Sequence, residues 1–598
     1  MEGHDVNFLK RTVSALLVST FLITLGACAN NNDSPAGTTT PVNNSVATDV
    51  PKDTTSATST AIEKVSEDIH INQLGYKPDD KKVAIINGIY DDFAVIEKDT
   101  GKEVLSKKLE GKVKDMSSGD TVCYADFTEL TVEGTYYITV KGIGKSYEFN
   151  IGKNVYRSIS DALVKGLYYQ RCGMELESQY AGAYAHANCH KYLAKMYGNE
   201  EKEVDTLGGW HDAGDYGKYS VAAAITAADL LLAFEFYPDN FTSSINIPES
   251  SNNIPDILDE AKYGIEWLLK MQDPATGGVY HKATSRGFPD ITVTPEIDVD
   301  DPVLMPVSST ATGDFAAVTA MAARTFMPFD KNFADKCLNA AKKAWEWLEK
   351  NDKLIAYKNP TDIATGEYSD DSDADERLWA AGELFRTTGD KKYGDYFIDN
   401  YSSNGLALGW QNTSGFAAIS YLYADNTDEH TYNKVKKDWL NKAKVLNDTA
   451  KADGYMLAMV SIEYSWGSNM NVMNHAIHLL IADDLESNPE YVQYAKQCGN
   501  YLVGANCLNQ SYVTGFGSKQ VMQPHHRPSA GDSVKAPVPG LVAGGPNASL
   551  DDEVSKSKLD GLPPARCYID DVTSYATNEI DTYWNSPAVF VFAAMNSK

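Results

Sequence analysis

Two aspartates three residues apart, Asp212 and Asp215, stand in the run Gly208-Gly209-Trp210-His211-Asp212-Ala213-Gly214-Asp215-Tyr216-Gly217. Glycines permit tight turns, so both carboxylates can point into one cleft. Paired carboxylates suit glycoside hydrolysis, in which one group protonates the leaving oxygen and another activates water or attacks carbon. Residue type alone equally allows a calcium loop or a capped turn. A second acidic segment runs from Tyr568-Ile569-Asp570-Asp571 to Tyr575-Ala576-Thr577-Asn578-Glu579. Its large aromatics are costly to leave in water, so a carboxylic acid here can be partly buried and kept protonated. A third segment, Ser511 to Lys519 and on to Pro524-His525-His526-Arg527, offers hydrogen-bond donors of fixed direction. These suit sugar hydroxyls or a carboxylate, and the adjacent histidines also allow a metal.

Elements must bring these distant segments together. From Tyr156 onward apolar residues recur at helical period: Leu258, Ala261, Ile265 and Leu268 share one face, and Phe333, Cys337, Ala341, Ala344 and Leu348 another. Similar stretches recur through residues 154–598, which predicts a mainly α domain of about a dozen helices. Residues 67–153 instead carry short apolar runs such as Val83 to Ile86, Phe93 to Ile96 and Tyr136 to Val140, separated by turns. That spacing predicts a small β-sandwich with a packing role.

Residues 29–66 are Thr, Ser, Asn, Pro and Ala with few large apolar side chains, the composition of a disordered tether. Within residues 1–28, Lys10 and Arg11 precede an apolar run from Val13 to Leu25, which reads as a signal segment. It ends in Leu25-Gly26-Ala27-Cys28, which resembles a bacterial lipobox. The expectation is an extracellular, cell-surface lipoprotein touching the membrane through lipid on Cys28, with a plain signal peptide as the alternative. A net charge of −29 over 598 residues argues against nucleic-acid binding, because nothing would neutralise phosphates. Seven cysteines follow Cys28, and an odd number cannot all pair internally, so some are buried apolar residues or metal ligands.

The three acidic and basic segments together resemble glycoside hydrolase family 9, as do Tyr169-Gln170-Arg171-Cys172-Gly173, Tyr464 to Asn469 and Gly544-Gly545-Pro546-Asn547. Asn72 to Tyr76 and Gly134 to Tyr137 resemble the immunoglobulin-like module that precedes some of its catalytic domains. The resemblance implies an (α/α)6 barrel and inverting hydrolysis of β-1,4-glucosidic bonds in cellulose or related β-glucans or cello-oligosaccharides. It implies an endo-acting cellulase, with exo action on the same scaffold as the alternative. A glucan-binding surface protein without activity is the alternative of another class, and it has no need of three carboxylates.

By resemblance Glu579 donates the proton, Asp215 is the base and Asp212 helps to hold the water, with His525 in the catalytic set. His525, Arg527 and Tyr575 bind sugar near the scissile bond, and Trp466 is a stacking platform, with core packing as its alternative. One position departs from the family pattern: Asp581 stands where a small residue is usual. It could raise the pKa of Glu579, or face a metal or solvent.

Cys172, Cys189, His190 and His211 offer two thiolates and two imidazoles, the set of a closed structural zinc site, although spaced more widely than in a zinc finger. The resemblance places a zinc there. His186 is an alternative fourth ligand, and a Cys172–Cys189 disulfide the alternative chemistry. Asp370 to Glu376 clusters hard oxygen ligands at the start of a helix. Resemblance to the family's calcium loop points to Asp371, Asp375 and Glu376, against the plainer reading that these acids complement a helix N-terminus. No organic cofactor is expected.

Overall fold

The computed structural model describes residues 64–597. The leader, Cys28 and nearly all of the tether lie outside the described residues. Ten strands come first: β1 (Ile69–His70), β2 (Gly75–Tyr76), β3 (Val83–Asn87), β4 (Asp92–Glu97), β5 (Glu103–Lys108), β6 (Glu110–Lys114), β7 (Thr121–Asp126), β8 (Gly134–Val140), β9 (Gly144–Lys145) and β10 (Phe149–Ile151). They form two sheets, ordered β1-β3-β7-β6 and β2-β10-β8-β4-β5, with β9 also on β8. In β8 the side chains alternate, so Tyr136, Ile138 and Val140 enter the sandwich while Tyr137 and Thr139 do not.

Strand β3 breaks that alternation, because Val83 to Ile86 is apolar throughout. The structure explains why. Ala84 and Ile86 pack into the sandwich, whereas Ile85, with Val122 of β7, packs into the core of the large domain. A sheet covered on both faces needs an unbroken apolar run. Each aliphatic side chain fully buried this way stabilises by about 1.5–3 kcal/mol. Polar contacts reinforce the seam: Asn72 donates to Asn500 over 2.8 Å, and Arg566 donates to both Asp120 oxygens at 2.7 Å.

The large domain is built on twelve helices of nine residues or more: α1 (Arg157–Tyr169), α2 (Ser220–Phe236), α3 (Asp256–Met271), α4 (Ser309–Phe326), α5 (Lys331–Lys350), α6 (Ala374–Thr388), α7 (Lys391–Asn400), α8 (Ser414–Leu422), α9 (Glu429–Ala452), α10 (Ser468–Leu485), α11 (Pro489–Leu502) and α12 (Thr582–Ser597). They alternate in character. The even-numbered helices are buried along most of their length, as Val221 to Ala233 of α2 are. The odd-numbered ones bury a single stripe, such as Phe333, Cys337, Ala341, Ala344 and Leu348 of α5. Six buried helices make an inner ring, closed where α12 packs on α2, and six amphipathic helices wrap it. This is an (α/α)6 barrel. Among the described residues no helix is long and apolar enough to cross a membrane.

Candidate active site

A cavity of about 1090 Å³ opens where the loops enter the N-termini of the inner helices. Asp212 and Asp215 precede α2, Tyr368 precedes α6, Trp410 precedes α8, Trp466 precedes α10, and Glu579 and Asp581 precede α12; all line it. The barrel thus gathers segments separated by more than three hundred residues, and it aims the positive ends of helix dipoles at a cluster of carboxylates.

The first loop is pinned from several sides. Gln170 donates to the carbonyls of His211 and Ala213, Lys218 donates to the carbonyls of Thr206 and Gly208, and Asp212 N–H donates to Gly217 O at 2.9 Å. Gly209 adopts φ +74°, and a Cβ there would sit 2.6 Å from the Trp267 ring. Gly214 is equally constrained, since a Cβ would lie 2.0 Å from His525 O and 3.4 Å from Glu579 Oε1. The glycines of the motif therefore let two strands of the site touch.

The downstream segments meet this loop as short extended pieces. His525 pairs with Glu579, Ile580 with Ala543 and Asp581 with Ala213. Asp570 accepts from the Met522 and Gln523 N–H groups, each at 2.8 Å, and from Asn578 at 3.0 Å. Asp570 is thus a brace for the turn carrying Glu579. Arg527 is held by backbone carbonyls, donating to Pro289 O and Gly214 O at 2.9 Å each, which leaves its charge beside both Asp215 and Glu579.

Electrostatics separate the carboxyls. Burial, reinforced by the charge on Asp215 and opposed by Arg527, pushes Glu579 well above the usual carboxyl range. Burial also raises Asp215, but Arg527, the Gly217 N–H at 3.0 Å and Lys282 all favour its ionised form. Asp212 is raised well above its ordinary value by burial, while the Tyr368 hydroxyl, donating over 2.6 Å, pulls the other way. Two carboxyls whose surroundings favour opposite protonation states have the electrostatics an acid–base pair needs.

His525 Nδ1 lies 2.7 Å from Val572 O, so that nitrogen carries the proton and Nε2 is left as an acceptor. Trp466 is 44% exposed on the cavity wall, its ring 5.5 Å from that of Tyr575, which removes core packing as its role. His526 points away from the cavity: it is buried, with Nε2 2.8 Å from Gln170 Oε1, so the adjacent histidines do not act as a pair.

The four predicted zinc ligands come together. One ligand atom from each of Cys172, Cys189, His190 and His211 lies within 4.8 Å of the others. His190 Nδ1 is 3.3 Å and Cys189 Sγ 3.9 Å from His211 Nε2, close to the edges of roughly 3.3–3.8 Å implied by tetrahedral Zn–N and Zn–S bonds. His190 takes a left-handed φ of +43° to reach the cluster, and its Nε2 meets Asp298 at 3.1 Å. Both thiols are free, which excludes the Cys172–Cys189 disulfide here, and His186 is not in the cluster.

The acidic loop requires a correction. Asp371 is exposed and does not belong with the buried acids. The inward carboxyls are those of Asp370, Asp375 and Glu376, joined by Asp314 from the middle of α4. Both oxygens of Asp314 and of Glu376, and Oδ2 of Asp370, are buried without a hydrogen-bond partner among the described residues. Burial, followed by repulsion among the acids, pushes Asp314 and Glu376 well up. Such a set is costly unless a hard cation sits within it. Asp314 was missed because it lies far from the loop, yet an acid inside an otherwise apolar helix was a visible signal. Tyr368 and Lys282 were also missed. Lys282, lowered to about 7 by burial with the Asp215 charge opposing, reaches the carbonyls of Thr365 and Gly366.

Residues 156–592 match the family model "Glycosyl hydrolase family 9", and residues 64–145 match "Cellulase N-terminal ig-like domain". The chain is 36% identical over 546 residues to a cellodextrinase of Butyrivibrio fibrisolvens, covering 88% of this chain and 99% of that protein. It is 36% identical over 537 residues to endoglucanase D of Acetivibrio thermocellus, covering 88% and 83%. The solved structure of AaCel9A in complex with cellobiose-like isofagomine superposes with a TM-score of 0.85 at 38% identity, covering 89% of this chain and 100% of that one. The carboxylate set, the barrel that gathers it and these likenesses agree: the chain belongs to glycosyl hydrolase family 9 and is a glycoside hydrolase with an N-terminal immunoglobulin-like domain.

Proposed function

We propose that the protein cleaves β-1,4-glucosidic bonds inside β-glucan chains, including cello-oligosaccharides, with inversion at the anomeric carbon. The observation that carries this is the one cavity lined by Asp212, Asp215, Arg527 and Glu579, in which burial raises the Glu579 carboxyl well above its usual range while Arg527 acts on both Glu579 and Asp215. Glu579 donates its proton to the glycosidic oxygen, and Asp215 takes a proton from the attacking water. Asp212, held by Tyr368, orients that water. Trp466 stacks on a sugar ring, while Tyr575 and His525 Nε2 meet sugar hydroxyls and Arg527 fixes both carboxyls. An inverting site keeps acid and base roughly 6.5–9.5 Å apart, leaving room for water. Proton NMR of the first products tests this: the α anomer at the new reducing end is expected, and the β anomer overturns inversion. A fast early fall in viscosity relative to reducing ends is expected on soluble β-glucan; its absence assigns exo action.

Zinc suits Cys172, Cys189, His190 and His211, where it would lock the loop before Asp212 without touching substrate; protein purified without zinc contradicts this. Calcium suits Asp314, Asp370, Asp375 and Glu376 beneath the Tyr368 loop. The leader adds a lipid on Cys28 and an extracellular bacterial surface location to the proposal. Release of Cys28→Ala protein into the medium is the expected result, and unchanged retention on cells contradicts it.

A further inference from the structure

Asp581 lies in the cavity wall two residues after Glu579, in a run of three consecutive extended pairings. Residues i and i+2 of an extended segment share a face, so the Glu579 and Asp581 side chains both face the reacting region. Only 4% of Asp581 is exposed. Its two oxygens do different things. Oδ1 accepts from the Tyr583 N–H at 3.1 Å, capping α12. Oδ2 lies 3.4 Å from the Tyr368 hydroxyl, the same hydroxyl that sits 2.6 Å from Asp212 Oδ2.

A phenol has one proton, and the shorter contact shows that Tyr368 gives it to Asp212. The Tyr368 oxygen keeps a lone pair on the Asp581 side, and a proton on Asp581 Oδ2, 3.4 Å away, would fill it. The charged neighbours agree. Asp212 and Asp215 face Asp581 from the loop before α2 and Glu579 from its own segment, Tyr368 and Tyr583 add neutral hydroxyls, and Arg527 acts on Asp215 and Glu579. An ionised Asp581 would put a further buried negative charge beside Asp212, Glu579 and Asp215.

We propose that Asp581 is a positioning residue of the hydrolytic reaction: a neutral carboxylic acid that donates to Tyr368 and thereby fixes the Tyr368 proton on Asp212. The chain Asp581–Tyr368–Asp212 holds the water-orienting carboxyl in one rotamer. A small residue at this position cannot do so. The proposal rests on the acid–base reading above.

Two substitutions separate this role from helix capping. Asp581→Asn keeps both the cap and a donor to Tyr368. Asp581→Ser keeps the cap but is too short to reach Tyr368. On a soluble cello-oligosaccharide, Asp581→Asn is expected to hold kcat within about threefold of the unsubstituted enzyme. Asp581→Ser is expected to lose kcat about tenfold, with KM within twofold and an unchanged melting temperature. Tyr368→Phe and the double variant Tyr368→Phe/Asp581→Ser should then lose kcat equally. Equal losses for Asn and Ser would show that a carboxylate charge is needed and overturn the proposal. An Asp581→Ser variant with unchanged kcat, or losses that add in the double variant, would overturn it as well. Glu579→Gln is the control: if it stays active the acid–base reading itself fails, whereas an inactive Glu579→Gln beside a fully active Asp581→Ser defeats this proposal alone.

Discussion

The Gly214 carbonyl accepts two hydrogen bonds from Arg527, from the main-chain N–H at 3.1 Å and from Nη1 at 2.9 Å, while the Gly214 N–H faces the Glu579 carboxyl. A residue without a side chain thus joins the loop carrying Asp215 to the segments carrying Arg527 and Glu579. Asp215 is the next residue along, so its position is set by this junction.

Gly214→Ala is accordingly expected to damage both stability and rate. Its Cβ would meet His525 O at 2.0 Å, and that backbone atom cannot rotate away. Overpacking of this kind costs about 1–3 kcal/mol. The displaced carboxyls should lower kcat by about 100-fold, since small misplacements at a reacting centre are expensive. Thermal melting and steady-state kinetics check both; a variant with unchanged kcat would show that the junction does not set the geometry.

Asp229 of α2 makes the fold sensitive to alkali. Burial pushes its carboxyl up to about 8, and its one hydrogen-bond partner among the described residues is Ser586 of α12, donating over 2.7 Å. The folded value lies above the unfolded value of about 3.9, so folding favours the protonated form. Its contribution is full below pH ~4 and is lost as pH rises through about 8. Asp229→Asn should therefore flatten the decline of melting temperature between pH 5 and 9 by a few degrees, measured by calorimetry. A steeper decline would contradict the assignment.

Calcium should raise the melting temperature of the enzyme, and Asp314→Asn should abolish that rise. Asp371→Ala should leave it intact, because Asp371 is exposed while Asp314 is buried with both oxygens unpartnered. Titration of chelated protein with calcium, followed by melting, distinguishes the two residues. The opposite ranking would restore Asp371 to the site.

Trp466→Ala should raise KM on cello-oligosaccharides about tenfold while kcat stays within about threefold, as loss of a stacking platform removes binding shared by ground and transition states. A fall in kcat with constant KM would make Trp466 part of the transition-state machinery instead.

That Asp212, Asp215 and Glu579 share one cavity was legible in the sequence because their segments carry local signatures: glycines flanking the two aspartates, and aromatics interleaved with acids before Glu579. The helices were legible because each outer one repeats an apolar stripe, as α5 does through Phe333, Cys337 and Ala341. Tyr368 was not, because 156 residues separate it from Asp212 and only the barrel brings the two within 2.6 Å. Asp371 and Asp370 are indistinguishable by composition, and the direction of a single side chain decides which is buried. Strand β3 shows the same limit at the level of a domain. An apolar run from Val83 to Ile86 says "buried", and only the docked large domain shows why Ile85 is buried on the second face.

Hydrolysis by the proposed route depends most directly on Glu579. Its replacement by Gln keeps the shape and removes the donatable proton, so the decisive measurement is hydrolysis of a soluble cello-oligosaccharide by Glu579→Gln alongside calorimetric binding of the same sugar. A kcat at least about a thousandfold lower, with affinity within a few-fold of the unsubstituted enzyme, is the predicted result. Turnover within about tenfold of the unsubstituted enzyme would contradict the assignment of Glu579 as the acid.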